Sequence, residues 1–149
     1  MIIMQRPMTP KRFRELLDIY PRLALSGVVQ SGKTLLTPVA TDRRVVHTDD
    51  IREMGVRFID VPAKAIEMLE GEEKFLVAGV QVPRALRKGL KVDALVWLDQ
   101  PLSALLPAQE AFGRGVRGIM HQWRNKNPRI PVYFCSRAAH DNPSERMPV

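Results

Sequence analysis

Chemistry is most legible where two glycines bracket a lysine and a threonine. Gly27-Val28-Val29-Gln30-Ser31-Gly32-Lys33-Thr34 fits GxxxxGK(S/T) with no mismatch, the spacing of a phosphate-binding loop. Glycine at either end lets the backbone turn and bring several N–H groups round one phosphate. A helix opening behind the loop would add the positive end of its dipole. Lys33 would reach the β- and γ-phosphates of a nucleoside triphosphate, and the Thr34 hydroxyl would ligate Mg²⁺. On this reading Gly27, Gln30, Ser31, Gly32, Lys33 and Thr34 hold ATP.

Two further clusters could complete a transfer reaction. Thr48-Asp49-Asp50-Ile51-Arg52 follows an apolar run directly. Moving a phosphoryl group to a hydroxyl needs a carboxylate within reach of that hydroxyl and cations over the γ-phosphate. Neighbouring carboxylates point in different directions, so one can face an acceptor while the other packs or caps a helix start. Arg114 and Arg117 lie in Ala111-Phe112-Gly113-Arg114-Gly115-Val116-Arg117. Spaced by three on a helix, they can reach one face together; the alternative is a solvated basic face. Asp99, at a strand end, could line the nucleotide site or cap the next helix. His47, His121 and His140 show no metal-ligand spacing with Cys135, and His121 reads as a packing residue.

These residues need a scaffold, and the chain supplies one. Thr9-Pro10 reads as an N-cap and first helical position, opening a helix over 11–20 that Pro21 ends. Apolar runs of strand length fall at 22–26, 44–47, 74–78, 94–98 and 130–135. Helical patterns separate them: a short one after the loop, limited by Pro38; 62–69, closed by Gly71; 82–88, closed by Gly89; and 102–124, with an expected break near Gly113-Arg114-Gly115. Five strands alternating with helices predict a three-layer α/β sandwich around a parallel sheet, with ligands at the C-terminal strand ends. One domain over 1–136 is expected, with 1–21 as a helical extension and 137–149 as a flexible polar tail.

Composition narrows the partners. The chain has 149 residues, 45% of them hydrophobic, and a formal net charge of +7. Such a basic surface favours polyanions, nucleic acid among them, although any ATP enzyme needs cations. No apolar run is long enough for a membrane helix, and the N-terminal apolar stretch is too short for a signal peptide. The single cysteine, Cys135, sits in an apolar strand, reads as buried filler and fits a reducing cytoplasm. Oligomeric state is open.

Over about residues 22–135 the chain resembles small P-loop kinases. The motif at 48–52 is similar to the DDxR element of polynucleotide 5′-kinases. The resemblance implies strand order 2-3-1-4-5 with the loop strand central. It implies that Asp49 is the general base on the acceptor hydroxyl and that Arg52 holds substrate phosphate beside Asp50. It also implies that Arg114 and Arg117 sit on a lid that closes over ATP. One departure stands out: P-loop enzymes commonly carry a metal-holding acid at a strand end, and here that strand ends Leu76-Val77-Ala78-Gly79. The expected activity is ATP-dependent phosphorylation of a hydroxyl on nucleic acid or a nucleotide, either a 5′-end or a hydroxymethylated pyrimidine. The alternatives are a small-molecule kinase and a non-catalytic nucleotide-binding module.

Overall fold

The computed structural model describes residues 2–4 and 7–141. Its strands are β1 (Ile2–Met4), β2 (Arg22–Gly27), β3 (Arg44–His47), β4 (Phe75–Ala78), β5 (Ala94–Leu98) and β6 (Val132–Cys135). All pair in parallel, in the order β1-β6-β5-β2-β4-β3. Counted from the loop strand β2, the five expected strands stand as 2-3-1-4-5. The short β1 is an unexpected addition at the edge, in register from Ile2 opposite Val132 to Met4 opposite Phe134.

The helices are α1 (Pro10–Ile19), α2 (Lys33–Leu36), α3 (Thr48–Glu53), α4 (Val61–Leu69), α5 (Val82–Arg87) and α6 (Pro107–Lys126). Strand side chains alternate between faces, and each face has its own core. Ala24, Phe75, Val77, Leu95 and Trp97 point to the side of α3 to α6. Leu23, Leu25, Leu76, Val96 and Leu98 point to the side of α1 and α2. With both faces covered, the strands read as unbroken apolar runs.

Within 1–21, the Thr9 hydroxyl accepts from the Arg12 amide at 3.2 Å, and Phe13, Leu16 and Leu17 are buried beneath the sheet. Thr9-Pro10 therefore starts α1 as the sequence predicts. The helix behind the loop is stunted as expected: α2 is one turn, followed by a 3₁₀ turn at Thr37–Val39 that contains Pro38. A helix that short contributes little dipole, so the loop's own amides must do most of the work on an anion.

Two expectations are corrected. The break foreseen near Gly113-Arg114-Gly115 is absent: α6 runs unbroken for 20 residues, and residues 102–106 stay outside it. Gly113, Val116, Met120 and Trp123 are buried at spacings of three, four and three. Their packing outweighs the ~1 kcal/mol that each helical glycine costs. Second, the start of the supposed flexible tail is held down. Ala138 N–H donates to Ser31 O at 3.0 Å, and Ala139 N–H donates to Met8 O at 2.9 Å. Residues 142–149 lie outside the described residues.

The end of β4 is packed without slack. Gly79 has φ 137°, and a β-carbon there would land on Thr48 Oγ1. Its amide donates to Leu25 O at 3.1 Å, and its carbonyl accepts from the buried Ser26 hydroxyl at 2.7 Å. Gly79→Ala should therefore destabilise the protein by about 2 kcal/mol or more. In a Thr48→Ala background the same change should cost less, because the worst collision, with the hydroxyl, is gone, leaving the backbone strain and the tight approach to Cβ and N of residue 48. Chemical denaturation of the four proteins in this cycle checks both statements.

Candidate functional site

Because every strand is parallel, all the loops after the strands gather at one edge of the sheet. The Gly27–Thr34 loop leaves β2 there at Gly27. Val28 N–H still donates to Leu98 O at 3.0 Å, so the β2–β5 pairing runs to the mouth of the loop. A β-carbon at Gly27 would collide with that same Leu98 carbonyl. At Gly32, φ is +92°, and a β-carbon would press on Ala138 and Leu102. Glycine is required at both positions, by close approach at the first and by conformation as well at the second.

Gln30, with φ 60°, is the one non-glycine with positive φ among the described residues. Two contacts hold it in this strained state. Its carbonyl accepts from Leu102 N–H at 2.8 Å, and its side-chain Oε1 accepts from the Ser103 hydroxyl at 2.7 Å. Ser31 is buried, its carbonyl bound by Ala138. The loop is thus clamped from both sides, by the segment after β5 and by the segment after β6.

The result is a row of free donors. Among the described residues, the amides of 29–34 find no acceptor. Six consecutive N–H groups on a tightly curved backbone form a concavity suited to an anion. Lys33 completes it. Its ammonium donates to Val28 O at 2.8 Å and to Ser31 Oγ at 3.1 Å, so it is folded back over the loop. Removal from water is the main influence on it and pushes its pKa down from 10.5 to about 8; the negative charge of Asp49 opposes this. Thr34 follows, exposed on the first turn of α2.

Asp49 and Asp50 occupy the first turn of α3, which begins directly after β3 with no intervening loop. Both are exposed, and neither caps the helix. Asp49 lies within electrostatic reach of Lys33. Arg52, a turn further on, is exposed, its Nη1 donating to Val56 O at 3.2 Å. Asp49 and the loop lysine thus face the same edge of the sheet.

Arg114 and Arg117 lie beside the loop as well, lining a cavity of about 300 Å³ with Val28 and Gly113. They stand on the continuous α6, not on a separate mobile lid. Arg117 is anchored: its Nε donates to Asp99 Oδ1 at 2.7 Å, and its Nη2 donates to Asp99 O at 3.1 Å. Asp99 also accepts from the indole N–H of the buried Trp97 at 2.9 Å. So Asp99 neither caps a helix nor stands free; it ties β5 to α6. Arg114 is exposed.

Two buried polar groups near the site went unnoticed in the sequence. Thr48 Oγ1 and Gln81 Oε1 lack hydrogen-bond partners among the described residues. Both residues directly follow strand ends or their turns, which is the one signal that could have singled them out. His121 stacks on Phe134, with centroids 6.3 Å apart, and burial lowers its pKa. Cys135 is buried, its thiol pushed up to about 12 by desolvation, as befits filler. No cluster of three or more His, Cys, Asp or Glu occurs among the described residues. No helix there is long and apolar enough to cross a membrane.

Comparison with protein-family models finds no match, and comparison with curated proteins finds none either.

The Lys33–Asp49 pairing makes a prediction independent of any activity. Folded Lys33 releases its proton near pH 8 and unfolded lysine near 10.5. Between these values the unfolded state holds more protons, so this residue's contribution to stability rises with pH across that window. Asp49→Asn removes the opposing charge and should lower the Lys33 pKa further. NMR titration of the Lys33 ammonium in the two proteins would show this, and an unchanged pKa would place Asp49 out of reach.

Proposed function

We propose that this chain is an ATP-dependent kinase that phosphorylates a hydroxyl of a nucleic acid or nucleotide. The observation that carries the reading is the row of free amides at 29–34 closed by the desolvated Lys33. Such a concavity suits the β- and γ-phosphates of a nucleoside triphosphate. Gly27, Gln30, Ser31 and Gly32 shape it. On binding, Lys33 exchanges Val28 O and Ser31 Oγ for phosphate oxygens. Thr34, with a carboxylate of Asp49 or Asp50 nearby, would hold Mg²⁺, which when bound neutralises phosphate charge; the exposed hydroxyl and acids fit an ion that keeps several waters.

In the transfer, the acceptor oxygen attacks the γ-phosphorus and the bond to the β–γ bridging oxygen breaks, leaving ADP. Asp49 takes the hydroxyl proton. Arg52 holds a phosphate of the acceptor. Arg114, which lines the cavity beside the loop, would meet the γ-phosphate from α6, and Arg117 would join it by exchanging Asp99 for phosphate. The +7 charge supports a polyanionic acceptor, such as a 5′-end or a hydroxymethylated pyrimidine in DNA, over a small metabolite. One observation favours a second reading: β4 ends Val77-Ala78-Gly79 with no carboxylate, as suits a nucleotide-binding module without catalysis. The lone cysteine supports a cytoplasmic setting.

Labelled ATP and a panel of DNA, RNA and nucleotide acceptors separate these readings. Lys33→Ala should fold and lose transfer. Asp49→Asn should cut turnover by about 10² to 10⁴ with little change in ATP affinity. Arg52→Ala should mainly raise the acceptor KM. ATP binding without turnover on any acceptor would favour the module.

Affinity for ATP should also fall above pH 8, by up to about tenfold per unit, because bound phosphate needs Lys33 charged. Calorimetric titrations between pH 7 and about pH 9.5 would show this together with proton uptake. A flat profile would mean that Lys33 does not meet the phosphates.

A further inference from the structure

Charge is distributed unevenly along this chain. Residues 84–129 hold nine of its lysines and arginines but only three carboxylates, Asp93, Asp99 and Glu110, which leaves +6 of the total +7 in this segment. Two of those carboxylates are engaged, Asp93 by Arg22 and Asp99 by Arg117. Across the rest of the chain most cations lie beside acids, as Arg14 lies between Asp18 and Asp42. On α5, α6 and the turn after α5 they do not: Arg84, Arg87, Lys88, Lys91, Arg124 and Lys126 form no ion pair among the described residues. Arg87 lines two neighbouring cavities, one with Arg84 and Lys88 and the other with Lys91 and Lys126, so these five cations form one continuous strip.

One end of the strip is aromatic. The Arg84 guanidinium lies 5.3 Å from the ring centres of both Phe58 and Phe112. The rings themselves meet edge to face at 5.9 Å. Arg84 Nη1 is buried with no acceptor, an unmet donor in the middle of this cluster. Phe58 is 41% exposed and the adjoining Ile59 73%. With Pro62, Arg87 and Lys88 they line a cavity of about 440 Å³ that contains three cations, three apolar residues and no acid. Phe58 packs on Phe112, and the next residue, Gly113, lines the cavity beside the loop with Arg114 and Arg117, so the two cavities share this part of α6.

We propose that this α5–α6 face is the track for a single-stranded nucleic acid, with an unpaired base stacked on Phe58 and the phosphate chain running along Arg84, Arg87, Lys88 and Lys91. The occupant follows from charge and shape together. A polyanion matches unpaired cations, and a flat apolar ring backed by a guanidinium matches a base. An acidic protein would use the cations but has no need of the exposed ring. The inference rests on the kinase reading only for what happens at the strand's end; binding along the face requires neither ATP nor catalysis.

The test is fluorescence anisotropy of the full chain with a labelled oligothymidylate of about twenty nucleotides, without ATP, from about 50 to about 200 mM salt. Wild type should bind, and affinity should fall steeply with salt. The triple variant Arg87→Gln, Lys88→Gln, Lys91→Gln changes only exposed side chains. It should bind about tenfold or more weakly at low salt, with the log–log salt slope reduced by about 2. Phe58→Ala should weaken binding about tenfold with an unchanged slope, and Phe58→Leu, which keeps an apolar side chain under Arg84, should do the same without disturbing the fold. An unaltered triple variant would overturn the track. Insensitivity to both Phe58 changes, or displacement of the oligomer by polyglutamate at equal charge concentration, would overturn the nucleic-acid occupant in favour of an acidic protein. Phosphorylation of a nucleotide without oligomer binding would sink this inference and leave the kinase reading standing. Oligomer binding without phosphorylation would do the reverse.

Discussion

The site depends on how closely β2 approaches β5 at Gly27. The pairing continues through Val28 N–H to Leu98 O, and no β-carbon fits between them. That contact fixes where the chain must leave the sheet and turn. Every residue of the loop then takes its position from it. Gln30 is pinned by Leu102 and Ser103, and Ser31 by Ala138, so the segments after β5 and β6 hold the loop in its curve. Six amides are left without partners because the backbone is spent on curvature instead of pairing. The amides are thus set in place before any anion meets them, the condition for strong electrostatic stabilisation; Lys33 alone would have to release Val28 O and Ser31 Oγ.

The charges around the loop follow from the same geometry. Lys33 is drawn out of water by its fold over Val28 and Ser31, and Asp49 partly offsets the cost. Asp49 can do so because α3 starts the moment β3 ends, which holds the carboxylate at the sheet edge. On the opposite flank the buried indole of Trp97 orients Asp99, and Asp99 holds Arg117 against α6. Core packing therefore positions a cation at the loop through two hydrogen bonds.

Much of this was legible in the sequence, for definable reasons. β4 and β5 are buried along their whole length, and β2 along all but its first residue, so each shows as an apolar run. Thr9-Pro10 announced α1 through capping chemistry. The loop motif is local, so its spacing sufficed. What was illegible rests on contacts distant in the chain. Ile2–Met4 is too short to read as a strand, and its partner Val132–Cys135 lies more than a hundred residues away. The glycines of 111–118 read as a break, yet Gly113 is buried on the packed face of α6 and sits against Val28. Ala138 looked like tail, but it closes on Ser31, past the end of the intervening strand β5. The strip of unpaired cations was visible only as a net charge, because which cations find partners is decided by folding. Asp49, Asp50 and Arg52 were legible as a motif; that α3 begins at Thr48 and leaves both acids uncapped was not.

The central claim is that residues 29–34 receive the phosphates of a nucleoside triphosphate. Amide NMR of the isotope-labelled chain, titrated with a non-hydrolysable ATP analogue and Mg²⁺, tests it most directly. The account predicts saturable shifts concentrated at the amides of 29–34 and at the Lys33 ammonium, and no such shifts with adenosine alone. Shifts that avoid this loop, or equal responses to adenosine and the triphosphate analogue, would contradict it.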